Sequence, residues 1–74
     1  MIVPDHIAAE NLRALFAAKA VSRGGVVRRN IRWADAQIGR EQLLGEVRRR
    51  GYHVLRCGRQ YVIVCNAAPI ELIF

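Results

Sequence analysis

The stretch RRRGYHVLRCGRQYVIVCN, residues 48–66, decides the fold of this chain. Two apolar runs flank a short Cys-Gly-Arg connection, a pattern that predicts a β-hairpin with Gly58 at the first central position of a tight turn. This register sets Val54 opposite Ile63. Because the second strand is apolar on both faces, we expect it to be central in its sheet. The predicted strands span 52–56 and 60–66.

A helix is predicted immediately before the hairpin, over 37–50. Its apolar stripe consists of Ile38, Leu43, Leu44 and Val47. Gly51 suits its C-terminal end, and either Asp35 or Gly39 suits its N-terminal end. Gly45 lies inside this helix, where glycine costs about 1 kcal/mol relative to alanine. A close contact with another helix would explain it.

Another helix is predicted nearer the start of the chain, over 5–22. Asp5 is a suitable cap after Pro4, and the alanine-rich segment that follows has high helix propensity. Leu12, Leu15 and Phe16 fall on one side at helical spacing. The Gly24-Gly25 pair predicts the end of this helix.

The segment between these helices has two interpretations. If the segment VVRRNIRW over 26–33 is a strand, successive side chains point to opposite faces, and Val27, Ile31 and Trp33 share one face. In the other interpretation, the strand is short and a helix follows from about Asn30 to Gln37.

Together these elements predict one α+β domain over 1–74 with the order α-β-α-β-β. The expected sheet is three-stranded and antiparallel, and it packs on the two helices. The last eight residues, AAPIELIF, are strongly apolar. We expect this tail to be covered, either by the rest of the monomer or by a second copy of the chain.

Positive charge is concentrated in the middle of the chain. Residues 23–59 contain ten arginines against three carboxylates, whereas the flanking segments carry almost no net charge. Such clustering is typical of a protein that binds a polyanion. Arginine can contact phosphate or the edge of guanine in a bidentate way.

Other function classes find little support in the sequence. His6 and His53 lie in unrelated elements, and Ser22 is the only serine, so no nucleophile with a base is predicted. Cys57 and Cys65 lack the spacing of a zinc site. We therefore expect no enzymatic activity, cofactor, metal or small-molecule substrate. The absence of a secretory pattern and of a long apolar run predicts a cytoplasmic protein without membrane contact.

Residues 40–64 resemble the end of a winged-helix domain, in which a recognition helix runs through a glycine into a hairpin. The matching positions are Leu44, Val47, Gly51, Tyr52, Val54, Gly58, Tyr61 and Ile63. The resemblance implies that the helix enters the major groove of DNA and that the hairpin lies on the DNA backbone. It also requires two helices between the first strand and the hairpin.

The favoured hypothesis is a basic, non-enzymatic nucleic-acid-binding protein and candidate transcriptional regulator, with DNA favoured over RNA. Arg28 and Arg32 join the set because they share one face of the predicted strand. The predicted binding residues are Arg28, Arg32, Arg40, Arg48, Arg49, Arg56 and Arg59. The alternative is a protein-interaction module, adaptor or inhibitor. It would self-associate as a homodimer through the hairpin sheet and the apolar tail.

Overall fold

A computed structural model describes residues 3–74. The predicted hairpin is present in this structure. The helices are α1 (Asp5–Phe16), α2 (Lys19–Ser22), α3 (Ile31–Gln37) and α4 (Arg40–Arg49). The strands are β1 (Val26–Asn30), β2 (His53–Cys57) and β3 (Gln60–Val64). They form an antiparallel sheet in the order β1-β3-β2. The molecule is thus a small α+β domain.

The hairpin register agrees with the prediction, although its strands differ by one or two residues from 52–56 and 60–66. Val54 pairs with Ile63, and β3 is the central strand. Gly58 adopts φ 61° in the two-residue turn. That left-handed conformation is easily reached only by glycine. The turn and the alternating pattern therefore fix this part of the fold locally.

The single helix predicted over 5–22 is wrong, because the chain leaves the helical conformation at Ala18. The ψ of this residue is 147°, which separates α1 from α2. Phe16 and Val21 are both buried. Five residues apart, they would point about 140° away from each other on one helix. The break lets both reach the core, so packing overrides the helix propensity of the alanines.

The full strand predicted over 26–33 is also wrong, and the strand-plus-helix interpretation is confirmed. The Asn30 side chain accepts a hydrogen bond of 3.0 Å from the backbone of Trp33 and caps α3. Since Trp33 therefore lies on a helix, it does not share a strand face with Val27, and it is 42% exposed.

The helix predicted over 37–50 begins later, at Arg40. Gly39 precedes this helix with φ 102°, and this conformation separates α3 from α4. At the other end, Gly51 donates to the carbonyl of Arg48, and Tyr52 donates to that of Val47. These two bonds form a Schellman motif, which turns the chain directly into the hairpin.

The core lies between the helices and one face of the sheet. Leu43 of α4 and Ile63 of β3 are fully buried at its centre. The opposite face of the sheet is open, with Val26 and Leu55 substantially exposed. Tyr52 and Tyr61 both pack in or against the core.

The apolar tail is not covered by the rest of the monomer. After β3 the described chain has no further helix or strand. Leu72, Ile73 and Phe74 are 88%, 82% and 111% exposed. The expectation that the monomer itself covers the tail is therefore wrong, whereas cover by a second copy stays a prediction.

Candidate nucleic-acid interface

A groove runs between α4 and β2, which is an edge strand of the sheet. Arg40, Leu44 and Arg48 stand four residues apart on α4, so one side of the helix presents all three to the groove. Val54 of β2 is part of the opposite wall. Two adjoining depressions that share Leu44, Val54 and Leu55 make up the groove. Its middle is apolar, and arginines lie along its length.

The hairpin turn brings more arginines to one end of this groove. The backbone N–H of Ile31 donates to the carbonyl of Arg59 over 2.8 Å, which ties the turn to the start of α3. As a result, Ile31, Arg32, Arg56 and Arg59 line one depression. Arg56 also lines the groove beside Arg40. Residues that are far apart in the sequence thus form a continuous basic surface.

Arg40 is held in place by two side chains. Its guanidinium bonds to Asp35 at 2.9 Å and to the Tyr61 hydroxyl at 2.9 Å, and Tyr61 also donates to Asp35 at 2.6 Å. Partial burial disfavours ionisation of Asp35, but the hydrogen bonds from Tyr61 and Arg40 outweigh it and lower the pKa of this carboxyl. Burial and the bond to Asp35 raise the pKa of Tyr61. The triad fixes Arg40 and partly neutralises its charge.

The other side of α4 faces α1 and has a different character. Glu46 bonds to Arg49 at 2.5 and 3.2 Å and to Arg50 at 2.6 Å. Hydrogen bonds from Arg49 and then Arg50 lower the Glu46 pKa to about 2. The Arg50 guanidinium also lies 4.5 Å from the centre of the Phe16 ring. The ion pairs lie within α4 and its C-terminal cap, whereas the contact of Arg50 with the Phe16 ring joins α4 to α1. The Glu46–Arg50 bond is an i,i+4 pair in the order that favours a helix.

Within residues 3–74, most of the predicted binding arginines have no carboxylate partner. Within residues 3–74 the ion pairs join Asp35 to Arg40 and Glu46 to Arg49 and Arg50. The arginines of the predicted set without an ion pair in that range are Arg28, Arg32, Arg48, Arg56 and Arg59. Their charge is therefore available to a ligand.

Arg28 lies apart from the others. It pairs with Val62 in the sheet and lies on the open face with Leu55, because alternate residues of a strand point to opposite faces. Arg32 lies on α3. The two therefore do not share a strand face as the sequence predicted, and only Arg32 joins the surface around the hairpin turn.

Gly45 is the unexplained residue on α4. Its φ is not positive, and among the described residues 3–74 no atom of another element lies within 4 Å of the place that a β-carbon would occupy. The predicted close contact with another helix is therefore wrong. Neither backbone conformation nor internal packing requires glycine here. Gly45 lies on the solvent side of α4 with Glu41, Gln42 and Arg48.

The described part of the chain offers no alternative site of a familiar chemical kind. In residues 3–74, no three His, Cys, Asp or Glu side chains come together as metal ligands do. Cys57 is exposed, whereas Cys65 is buried, and burial raises the pKa of the Cys65 thiol. None of the helices in this range combines the length and apolar character that a membrane crossing needs.

Sequence reasoning missed the apolar floor of the groove and the triad that holds Arg40. Asp35 and Tyr61 are 26 residues apart, so no local pattern joins them. The apolar pattern predicts that Leu44 belongs to the core stripe of its helix, but Leu44 also lines the groove. Its place at i, i+4 between Arg40 and Arg48 was the available signal.

No protein-family model matches the chain, and neither a curated protein nor a solved structure shows significant similarity to it.

Proposed function

We propose that this protein is a non-enzymatic nucleic-acid-binding protein and that duplex DNA is its ligand. The observation that carries the proposal is a groove with Arg32, Arg56 and Arg59 around the hairpin turn at one end and Arg48 on its α4 wall. Within residues 3–74, none of these four arginines has a carboxylate partner. Such a surface attracts phosphates, and neutralising them releases counterions.

The arrangement of elements supports a winged-helix mode of binding. Two helices, α3 and α4, lie between β1 and the hairpin, as the resemblance requires. In this mode α4 enters the major groove and the turn at Gly58 and Arg59 lies along the backbone. At ten residues, α4 is about 15 Å long, enough to reach base edges over part of a groove.

Gly45 is a second, independent observation that supports binding of a ligand to α4. A glycine in a helix interior lowers stability, and here nothing inside the molecule requires it. On the outer side of α4 it lets a ligand approach the helix backbone closely. Gln42 and Arg48 flank it on the same side, and both residue types can bond to purine edges in the major groove.

Duplex DNA is favoured over single-stranded RNA because the tyrosines are not presented to solvent as stacking surfaces. Tyr61 is buried, and Tyr52 packs against Phe16 with 6.3 Å between the ring centres. Recognition of single strands depends on several exposed aromatic rings for base stacking, whereas among the Tyr and Trp rings of residues 3–74 Trp33 alone is substantially exposed.

Arg40 and Arg49 contribute less in this proposal. Their side chains are 55% and 68% exposed, so both can reach a phosphate. Each, however, already shares its charge with a carboxylate. A phosphate would compete with Asp35 for Arg40 and with Glu46 for Arg49, which reduces the gain in binding free energy.

Fluorescence anisotropy with a labelled random duplex and a labelled single strand tests the proposal. With four phosphate contacts, log Kd against log salt should have a slope magnitude of about 3.6, so fourfold more salt weakens binding about a hundredfold. The duplex should bind more tightly than the single strand. Absence of binding at low salt would overturn the proposal and turn attention to an acidic protein partner.

A further inference from the structure

The chain after β3 is firmly attached to the body of the protein as far as Ala68. The Cys65 N–H donates to the Gly25 carbonyl at 2.8 Å, and the Asn66 side chain donates to Gly24 at 2.9 Å. His53 Nε2 lies 2.7 Å from the Ala68 carbonyl, a contact that requires a donated ring proton. Pro69 then restricts the direction in which the chain leaves.

Beyond this anchor, the segment 70–74 presents apolar side chains to solvent. Leu72, Ile73 and Phe74 contact almost nothing in the monomer, with exposures of 82% or more. Contiguous exposed apolar side chains of this size mark an interaction site. The fixed anchor places this segment at one position on the surface.

That position is the mouth of the groove between α4 and β2. Ile70 lines the depression of about 520 Å³ that also involves Leu44, Arg48 and Leu55. The middle of this groove is apolar, so it offers little binding free energy to a phosphate. Because β2 is an edge strand, its outer backbone groups are also available to an added extended segment.

We propose that residues 70–74 of a second copy bind in this groove and that the exchange is reciprocal. The segment matches the groove in chemistry, since Leu72 and Phe74 suit the apolar floor and Glu71 suits Arg48. It also matches in reach. Each segment starts at the groove of its own chain, and four extended residues span about 13 Å. A two-fold axis beside the groove therefore lets each segment cross to its partner.

The first test is sedimentation velocity on the chain without nucleic acid over a wide concentration range. We expect a monomer–dimer equilibrium. Replacing the two large side chains, Leu72→Asp with Phe74→Asp, should raise the dimer dissociation constant at least about tenfold. The far-UV circular dichroism spectrum should not change, because these side chains lie outside the core. A wild-type chain that stays monomeric at several hundred micromolar would overturn the proposal.

Charge reversal identifies the docking site. Glu71→Arg and Arg48→Glu should each weaken the dimer roughly fivefold, and the double variant should recover most of the loss. The matched control is Val26→Asp, which introduces a charge on the open sheet face and should leave the dimer intact. A dimer that Val26→Asp abolishes and the tail variants do not affect would place the interface on the sheet and contradict the proposal.

The two proposals share Arg48, which pairs with Glu71 in the dimer and contacts phosphate in the DNA complex, but their readouts are separate. The dimer is measured as oligomeric state without DNA, and it rests mainly on the apolar floor of the groove and on residues 70–74. A monomer that still binds duplex DNA would overturn only the dimer, whereas a dimer that binds no DNA would overturn only the proposed function.

Discussion

The two sides of α4 carry neighbouring arginines with different surroundings. Arg49, on the side toward α1, is bonded to Glu46, which also bonds to Arg50. Arg48 lines the groove beside β2 and has no ion pair within residues 3–74. On the side toward α1, both arginines are therefore paired with a carboxylate of their own helix, whereas on the groove side Arg48 leaves its charge available to a ligand. An arginine cluster in a sequence is best interpreted after its carboxylates have been located.

The largest expected effect comes from reversing charge on the groove side. Arg48→Glu with Arg56→Glu should weaken duplex binding about a hundredfold or more at low salt, because two phosphate contacts become repulsive. The matched control is Lys19→Glu with Arg23→Glu, which makes the same change in net charge in and just after α2. Anisotropy should show a loss of only a few-fold for the control. Equal losses in both variants would mean that net charge, and not this surface, governs binding.

A smaller effect on stability is expected from the side that faces α1. Glu46→Gln should lower the free energy of unfolding by about 1–2 kcal/mol at pH 7 after allowance for solvent screening. Urea denaturation followed by Trp33 fluorescence measures it, and DNA affinity should change less than about twofold. A large loss of affinity without a loss of stability would contradict the division between the two sides.

The same variant has a defined pH dependence. Folding lowers the Glu46 pKa from 4.5 to about 2. The stabilisation that ionised Glu46 provides is therefore fully present above pH 4.5, and it is lost as the pH falls through about 2. The stability difference between wild type and Glu46→Gln should therefore shrink between these two values. A difference that stays constant across this range would mean that the ion pairs do not produce it.

Gly45→Ala sharpens the comparison by separating stability from binding. Alanine should stabilise the helix by about 1 kcal/mol, since the φ is ordinary and the added carbon meets nothing. Duplex affinity should nevertheless fall several-fold if DNA approaches the backbone here. Chemical denaturation and anisotropy on the same sample provide both values. Higher stability with unchanged affinity would place the ligand elsewhere.

The smallest expected effect concerns the one carboxylate on the outer side of α4 that makes no ion pair within residues 3–74. Glu41→Gln should tighten binding to random duplex about twofold, because it removes repulsion from phosphates. Glu10→Gln, an exposed position on α1, is the matched control and should have no measurable effect. An equal gain from both variants would argue against a role for the outer side of α4.

The hairpin could be predicted from the sequence because its determinants are local. The turn at Gly58 and the pairing of Val54 with Ile63 depend on adjacent residues. The break at Ala18 could not be predicted in this way, since it depends on where Phe16 and Val21 meet the core. Local propensity there favours one long helix.

The candidate site also combines features that the sequence predicts with features that it does not. The sequence identified the cluster of arginines and the convergence of α4 with the hairpin. It could not identify which arginines are neutralised, because the triad around Arg40 joins residues up to 26 positions apart. Nor could it place Ile70 in the same depression as Leu44. Both arrangements depend on tertiary structure and not on local pattern.

The most direct test of the central claim compares two adjacent substitutions by their salt dependence. The slope of log Kd against log salt for duplex DNA should fall in magnitude by about 0.9 in Arg48→Ala, the loss of one phosphate contact. In Arg49→Ala, whose arginine is bonded to Glu46, we expect a fall of less than about 0.3. Equal slopes in the two variants, or a larger fall in Arg49→Ala, would contradict the account.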